Sequence, residues 1–280
     1  MQKESGKLYN DSAVELLVNR VYARISPLQR PVNKLRLNLS RRLHNHSESE
    51  PLVSVVIPTY NRAKILMERP IPSILRQTYQ NFEIIIVGDC CTDETGKLVS
   101  KIGDKRISFY NLKKRGKYPT ATVPFRRAAG SKPANCSIRL ARGDWITPLD
   151  DDDEFTPHHI EILLKKCLGE KLEFAYGVAN LQISETEWVR VGMYPPELSH
   201  ICHSAALYSR VLRFLRYDPN AWRLEEPGDW NRCRRIVEAG ARVGFVNEVV
   251  VKIYRSHSRM HELLGVAPPQ FHASEDAGTK

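Results

Sequence analysis

An α/β fold on a mostly parallel sheet is predicted by three features of the chain. Between residues 53 and 149, short apolar runs recur without clean alternation, polar clusters follow them, and helix-like stretches separate them. A strand buried on both faces reads as an unbroken apolar run, and alternating strands and helices make right-handed crossovers between parallel neighbours.

Residues 1–50 precede this pattern and differ from it in texture. Val14, Leu17, Val18, Val21, Tyr22 and Ile25 recur at helical spacing, and a basic segment runs from Arg30 to Arg42. This stripe predicts packing onto the main domain or a partner, with peripheral membrane contact as the alternative. The polar run at 44–50 reads as a linker. The first strand is expected at 53–57. Pro70 and Pro72 then interrupt the crossover helix, because an interior proline removes a hydrogen bond and clashes with the preceding turn, so a break is expected near Arg69. Residues 82–87, 107–110 and 145–149 supply further strands, and 92–101, 133–142 and 157–168 further helices. Beyond these, 231–239 is helical in pattern, 249–253 strand-like, and 259–280 a tail.

With 280 residues, 42% of them hydrophobic, the chain can fill one large core or two small ones. A formal charge of +10 suits an anionic partner, whether nucleic acid, an acidic membrane surface or a phosphorylated small molecule. Aromatic residues are not interleaved with the N-terminal basic ones, so nucleic acid is not expected. Six cysteines without a C-x-x-C pair indicate neither a zinc site nor a disulfide framework. No stretch approaches the ~20 apolar residues that cross a bilayer. The expectation is a cytoplasmic protein, soluble or held peripherally at a membrane.

Four consecutive aspartates, Asp150 to Asp153, follow the apolar stretch 145–149. Neighbouring carboxylates repel by roughly 4 kcal/mol per pair at 4 Å and an effective dielectric near 20. A bound cation removes that cost, and oxygen ligands favour Mg²⁺ or Mn²⁺, which complete their shells with water and substrate phosphates. The other reading of the same run is a solvated acidic turn ahead of the helix start at Thr156-Pro157. In open α/β sheets ligands bind beyond the carboxyl ends of the strands, where residues 58–61, Gly88-Asp89 and the aspartates would converge on one cleft. The chain has neither G-x-x-x-x-G-K-[ST] nor G-x-G-x-x-G, which weakens P-loop and dinucleotide readings.

Taken in order, Val53 to Arg62 (VSVVIPTYNR), Ser73 to Tyr79 (SILRQTY), Val87 to Thr95 (VGDCCTDET) and the aspartates resemble the family 2 glycosyltransferases of GT-A fold, over about Leu52 to Ser258. The resemblance implies a GT-A domain over 51–258, with a nucleotide-binding half at 51–155 and an acceptor half at 156–258. It also implies transfer of one sugar, with inversion, from a nucleotide-diphosphate donor such as a UDP-sugar to a hydroxyl acceptor that is a carbohydrate, lipid-linked or otherwise. A Mn²⁺ or Mg²⁺ ion would assist.

Carried over by position, Pro58, Thr59, Tyr60 and Asn61 line the nucleoside pocket and Asp89 faces the base or ribose. Asp150 and Asp151 lie by the donor, Asp152 is a metal ligand, and His257 is a second ligand or a diphosphate contact. Asp229 is the general base, with Glu225 and Glu226 in reserve. Taken singly, Asn61 reads as a helix cap, Asp89 as a turn residue, and Asp229 as an acidic residue facing a helix dipole. His203, in the expected acceptor loop, ranks below His257. The basic residues 113–117 suit a lid over the donor.

The chain departs from the family pattern at Gly88, Cys90-Cys91 and Gly228, and at Ala134, where an arginine often precedes Asn135; Lys132 or Arg139 is the substitute considered. The competing functions are a non-catalytic nucleotide- or sugar-binding module and a sugar-phosphate nucleotidyltransferase.

Overall fold

The computed structural model describes residues 13–44 and 50–254. In chain order these form α1 (Ala13–Ile25), α2 (Gln29–Leu43), β1 (Val53–Thr59), α3 (Ala63–Glu68), α4 (Pro70–Leu75), β2 (Phe82–Gly88), α5 (Thr95–Ser100) and β3 (Ile107–Asn111). There follow α6 (Thr122–Ala128), α7 (Ser131–Leu140), β4 (Trp145–Pro148), β5 (Glu154–Phe155), α8 (His159–Gly169), β6 (Phe174–Gln182), β7 (Trp188–Val191), β8 (Ala206–Ser209), α9 (Gly228–Glu238) and β9 (Val243–Ile253).

Among the described residues the strands form one nine-stranded sheet in the order β3-β2-β1-β4-β8-β6-β9-β5, with β7 beside β6. The pairs β1/β2, β1/β4, β2/β3 and β6/β9 are parallel. β8 runs antiparallel to both β4 and β6. β1, β2 and β4 are buried almost throughout, which is why their sequences show no alternation.

The crossover helix breaks where the prolines require. α3 stops at Glu68, Arg69 leaves helical geometry (φ −121°, ψ −74°), and Pro70 opens α4. One core lies between the sheet and α3, α4, α5 and α8, built on Ile57, Leu66, Ile84, Leu163 and Val250. The other, on the opposite face, joins Ile138, Ile146, Tyr208, Leu212 and Ile236. Leu37 of α2 belongs to that second core and is fully buried.

The α1 stripe departs from the expected packing. Glu15 and Asn19 both meet Arg223, and Tyr22 donates to Asp218, so α1 docks through its polar edge. Val14, Leu17, Val18, Val21 and Ile25 point outward. The reason lies in the surface beneath, where Asp218 and Arg223 offer hydrogen bonds rather than an apolar seat. α2 behaves similarly outside Leu37. Arg41 forks onto Glu173 (2.7 and 3.0 Å) and Arg30 reaches Glu238 (2.7 Å).

No helix of the described residues is long and apolar enough to cross a membrane, and the six cysteines are unpaired.

Candidate active site

β1, β2 and β4 end side by side, and their carboxyl ends open into a cleft of about 300 Å³ lined by Pro58, Thr59, Tyr60, Asp89 and Asp150 to Asp152, together with Arg62, Arg115 and Tyr118. Except for Asn61, each residue expected from 58 to 152 contributes to this lining. Asn61 takes a left-handed backbone (φ 51°) and pins two loops together, its Oδ1 accepting from the Thr92 amide (2.8 Å) and its Nδ2 donating to Thr92 Oγ1 (3.1 Å). Asp89 is buried and already engaged. It accepts from the Gly116 amide (2.9 Å) and the Tyr118 hydroxyl (2.8 Å), with Arg115 Nε at 3.8 Å. Its carboxylate therefore braces the 113–118 loop at the edge of the pocket.

The four aspartates are separated by environment. Asp151 is buried, and Arg62 Nη1 lies 3.0 Å from its Oδ1 while also bonding Asp152 Oδ2. Burial pushes Asp151 up to about 7 against the pull of Arg62, and the Asp152 charge adds to the rise. Burial works against the Arg62 charge, but the two carboxylates raise its pKa further. Asp150 pairs with His203 Nε2 at 2.9 Å. Burial opposes ionisation of both partners, yet Asp150 is lowered and His203 raised, because each stabilises the other's charge. Asp153 is buried behind the cleft, and burial with the Asp150 and Asp152 charges raises it well above the carboxylate range.

Asp229 lies in the first turn of α9, where its Oδ1 accepts from the Trp230 amide (2.8 Å). It lines a small cavity with His203, Tyr217 and Arg232, and its charge helps raise His203. His203 lines the same cavity and pairs with Asp150, while its Nδ1 lies 3.2 Å from the Tyr217 hydroxyl. Of the reserve candidates, Glu226 is committed to Arg234 (2.8 and 2.9 Å) and Asn231 (2.6 Å), and Glu225 is exposed at a left-handed position. His257 lies outside the described residues.

The departures have local causes. A Cβ at Gly88 would stand 2.7 Å from Asn111 Oδ1, the atom that accepts from the Cys91 amide. At Gly228 a Cβ would stand 3.1 Å from the Arg127 carbonyl. Asn135 clamps the Tyr217 backbone through both amide atoms (2.8 and 2.9 Å) and does not line the cleft. Lys132 donates to the Lys114 and Arg115 carbonyls, tethering the basic loop. Arg139 sits near the other end of α7, exposed and against Cys136 Sγ.

One residue gained a role that motif reading did not assign. Arg62 ends the first motif, and its position beside four acids was the available signal. His203, ranked below His257 in the expected acceptor loop, pairs with Asp150.

Residues 54–192 match the family model "Glycosyl transferase family 2". The Escherichia coli protein named UDP-Glc:alpha-D-GlcNAc-diphosphoundecaprenol beta-1,3-glucosyltransferase WfaP is 34% identical over 151 residues, 53% of this chain and 54% of that protein. The chain spans about half the length of the first curated relatives it matches. Among solved structures, S. aureus TarS 1-349 in complex with UDP-GlcNAc superposes with a TM-score of 0.59 at 18% identity, over 77% of this chain and 61% of that one. The mannosyltransferase PcManGT of Pyrobaculum calidifontis, in complex with GDP-Man and Mn²⁺, gives 0.56 at 16% identity, over 89% and 71%. These likenesses show the fold, a GT-A type α/β sheet with a helical N-terminal region. With its motifs, its cleft and these matches in agreement, the chain belongs to glycosyltransferase family 2.

Proposed function

We propose that this protein transfers one sugar from a UDP-sugar to a hydroxyl acceptor, inverting the anomeric carbon, with Asp229 as general base and a divalent cation at the diphosphate. The observation that carries the reading is the convergence of residues 58–60, Arg62, Asp89 and the aspartates on one opening, with Asp150 paired to His203, which also lines the small cavity that holds Asp229. The TarS complex with UDP-GlcNAc supports a UDP donor, and the name of WfaP supports a lipid-linked acceptor.

The cleft residues fit a cation. Arg62 Nη1 bonds a carboxylate oxygen of both Asp151 and Asp152, so a positive charge already has a place between them. Among the described residues no three His, Cys, Asp or Glu side chains close into a metal cage. That suits an ion held by one or two carboxylates and completed by substrate oxygens and water. PcManGT was solved with Mn²⁺. Once bound, such an ion supplies Lewis-acid stabilisation of the charge growing on the leaving diphosphate.

The chain's own residues do the rest. Tyr60 and Thr59 form the wall on which the nucleoside rests, Tyr118 closes that wall from the loop, and Arg115 covers the Tyr60 ring until the base arrives. His203 fixes the Asp150 carboxylate. Asp229 takes the acceptor's proton as its oxygen attacks opposite the departing diphosphate, an effect worth ~10²- to 10⁴-fold.

The test is calorimetry of UDP-sugars with Mn²⁺, paired with turnover, for the wild type and Asp229→Asn. The variant should bind the donor as the wild type does and turn over at least ~10²-fold more slowly. Unchanged turnover removes Asp229 from the chemistry. Absence of binding by any nucleotide sugar removes the whole reading.

A further inference from the structure

The N-terminal helix pair is turned inside out relative to an ordinary surface helix. An amphipathic helix on a globular protein puts its apolar stripe on the core and its charges in water. Here Glu15, Asn19 and Tyr22 of α1 face the protein. The outward residues Val14, Leu17, Val18, Val21 and Ile25 follow i, i+3, i+4, i+7, i+11. In α2 the inward side holds Asn33 and Leu37, while Val32, Leu35, Leu39 and Leu43, with Leu28 just before the helix, continue the outward stripe. These ten side chains are between 42% and 79% exposed. Isolated exposed leucines are ordinary, but ten exposed apolar side chains on two consecutive helices mark a surface that binds something.

The charges around the stripe choose the occupant. Residues 13–44 carry seven Arg or Lys and one acid, Glu15, which faces inward. Arg20, Arg24, Lys34, Arg36 and Arg42 are exposed along the helix pair. A second copy of the chain on this face would set like charges against one another. An anionic bilayer complements both the stripe and its rim.

A second feature lies on the same helix. Arg36, Ser40 and His44 of α2 and the segment after it form one wall of a pocket of about 590 Å³, with Arg210, Arg213 and Arg216 opposite. Asp144 pairs with Arg210 at 3.3 Å, but among the described residues no carboxylate lies within ion-pair distance of Arg36, Arg213 or Arg216. Arg213 instead donates to the Ala141 and Arg139 carbonyls, and Arg36 stacks over Phe214 at 4.8 Å. Burial and the neighbouring Arg210 and Arg216 charges lower the Arg213 pKa. A guanidinium cluster short of counter-charge matches the bidentate geometry of a phosphate.

We infer that the outward face of α1 and α2, with the arginine pocket beside it, is a docking surface for a bilayer containing anionic phospholipid: the apolar stripe enters the interface and the arginines take headgroup phosphate. This holds whatever sugar the cleft transfers.

The experiment is co-sedimentation of the full chain with vesicles of phosphatidylcholine alone or with about one-third phosphatidylglycerol. The wild type should bind the anionic vesicles at least about tenfold more tightly, and high salt should weaken binding. Leu35→Glu/Leu39→Glu and, separately, Arg36→Glu/Arg216→Glu should each weaken binding about tenfold or more while circular dichroism shows the wild-type fold. Failure of the wild type to bind anionic vesicles overturns the inference, as does unchanged binding by Leu35→Glu/Leu39→Glu. Light scattering that shows a dimer abolished by that pair, with no vesicle binding, assigns the face to a second copy instead. Pyrophosphate titrating the arginine pocket without vesicle binding assigns the pocket to a soluble anion.

Discussion

The Arg115 guanidinium lies over the ring of Tyr60, 3.7 Å from its centroid, across the opening of the cleft. A base stacking on Tyr60 must displace this cation or share the ring with it. Asp89 holds the same loop through Gly116 and Tyr118, so the loop keeps its anchor when Arg115 leaves. Such a stacking contact is worth ~0.5–1 kcal/mol at a partly exposed site. Arg115→Ala is therefore expected to bind uridine about two- to fivefold more tightly by calorimetry. Weaker uridine binding in the variant would show that Arg115 helps hold the nucleoside.

Arg62 compensates two carboxylates at once, and its removal leaves Asp151 and Asp152 facing each other. Arg62→Ala should lower the melting temperature by ~5 °C in the absence of divalent ions, since stripping one partner from a largely buried pair costs a few kcal/mol. Mn²⁺ should restore most of that loss and shift the wild type much less. Equal shifts in both proteins would place the cation elsewhere.

His159 is fully buried, stacked on Phe155 at 3.6 Å, with Nε2 2.8 Å from Thr147 Oγ1 and Nδ1 2.9 Å from the Val250 carbonyl. A neutral ring protonated at Nδ1 donates to the Val250 carbonyl. Burial lowers its pKa to about 3. Because the unfolded chain takes up this proton near pH 6.5 and the folded one near 3, the contribution is complete above 6.5 and falls as pH drops, by up to ~1.4 kcal/mol per unit. Denaturant titrations at pH 7 and 5 should show His159→Gln losing less stability than the wild type on acidification. Parallel losses would mean that His159 is charged in the folded state.

Leu37 is the apolar anchor of α2, buried among Ile138, Ala141, Val211, Leu212 and Leu215. Leu37→Ala should cost ~2–5 kcal/mol, a fall in melting temperature of roughly 4–15 °C. A change below about one degree would show the N-terminal pair to be energetically independent of the domain.

The parts of the fold legible in the sequence were those whose burial is symmetrical. β1 and β2 are covered on both faces, so their composition announces them, and the polar clusters at their ends mark the cleft. β6 was not legible. Its run FAYGVANLQ mixes Gly, Ala and Asn with apolar residues, and it is a strand because β8 and β9 flank it, a condition supplied by distant sequence. The α1 stripe was legible as periodicity, but not as orientation, which depends on Asp218 and Arg223 some 200 positions away. Within the site, Asp89 lines the cleft, but its hydrogen bonds come from a loop with no regular pattern.

The antiparallel seam at β8 carries a mechanical consequence. Since one sheet continues from β3 through β4, β8 and β6 to β5, the two sides of the seam share hydrogen-bonded backbone and resist swinging apart as separate bodies. Admission and release then fall to side chains and to the short loop carrying Arg115, whose excursions run on nanosecond to microsecond scales rather than the slower clock of domain closure. In such a body the cleft opens by a loop, not by a jaw.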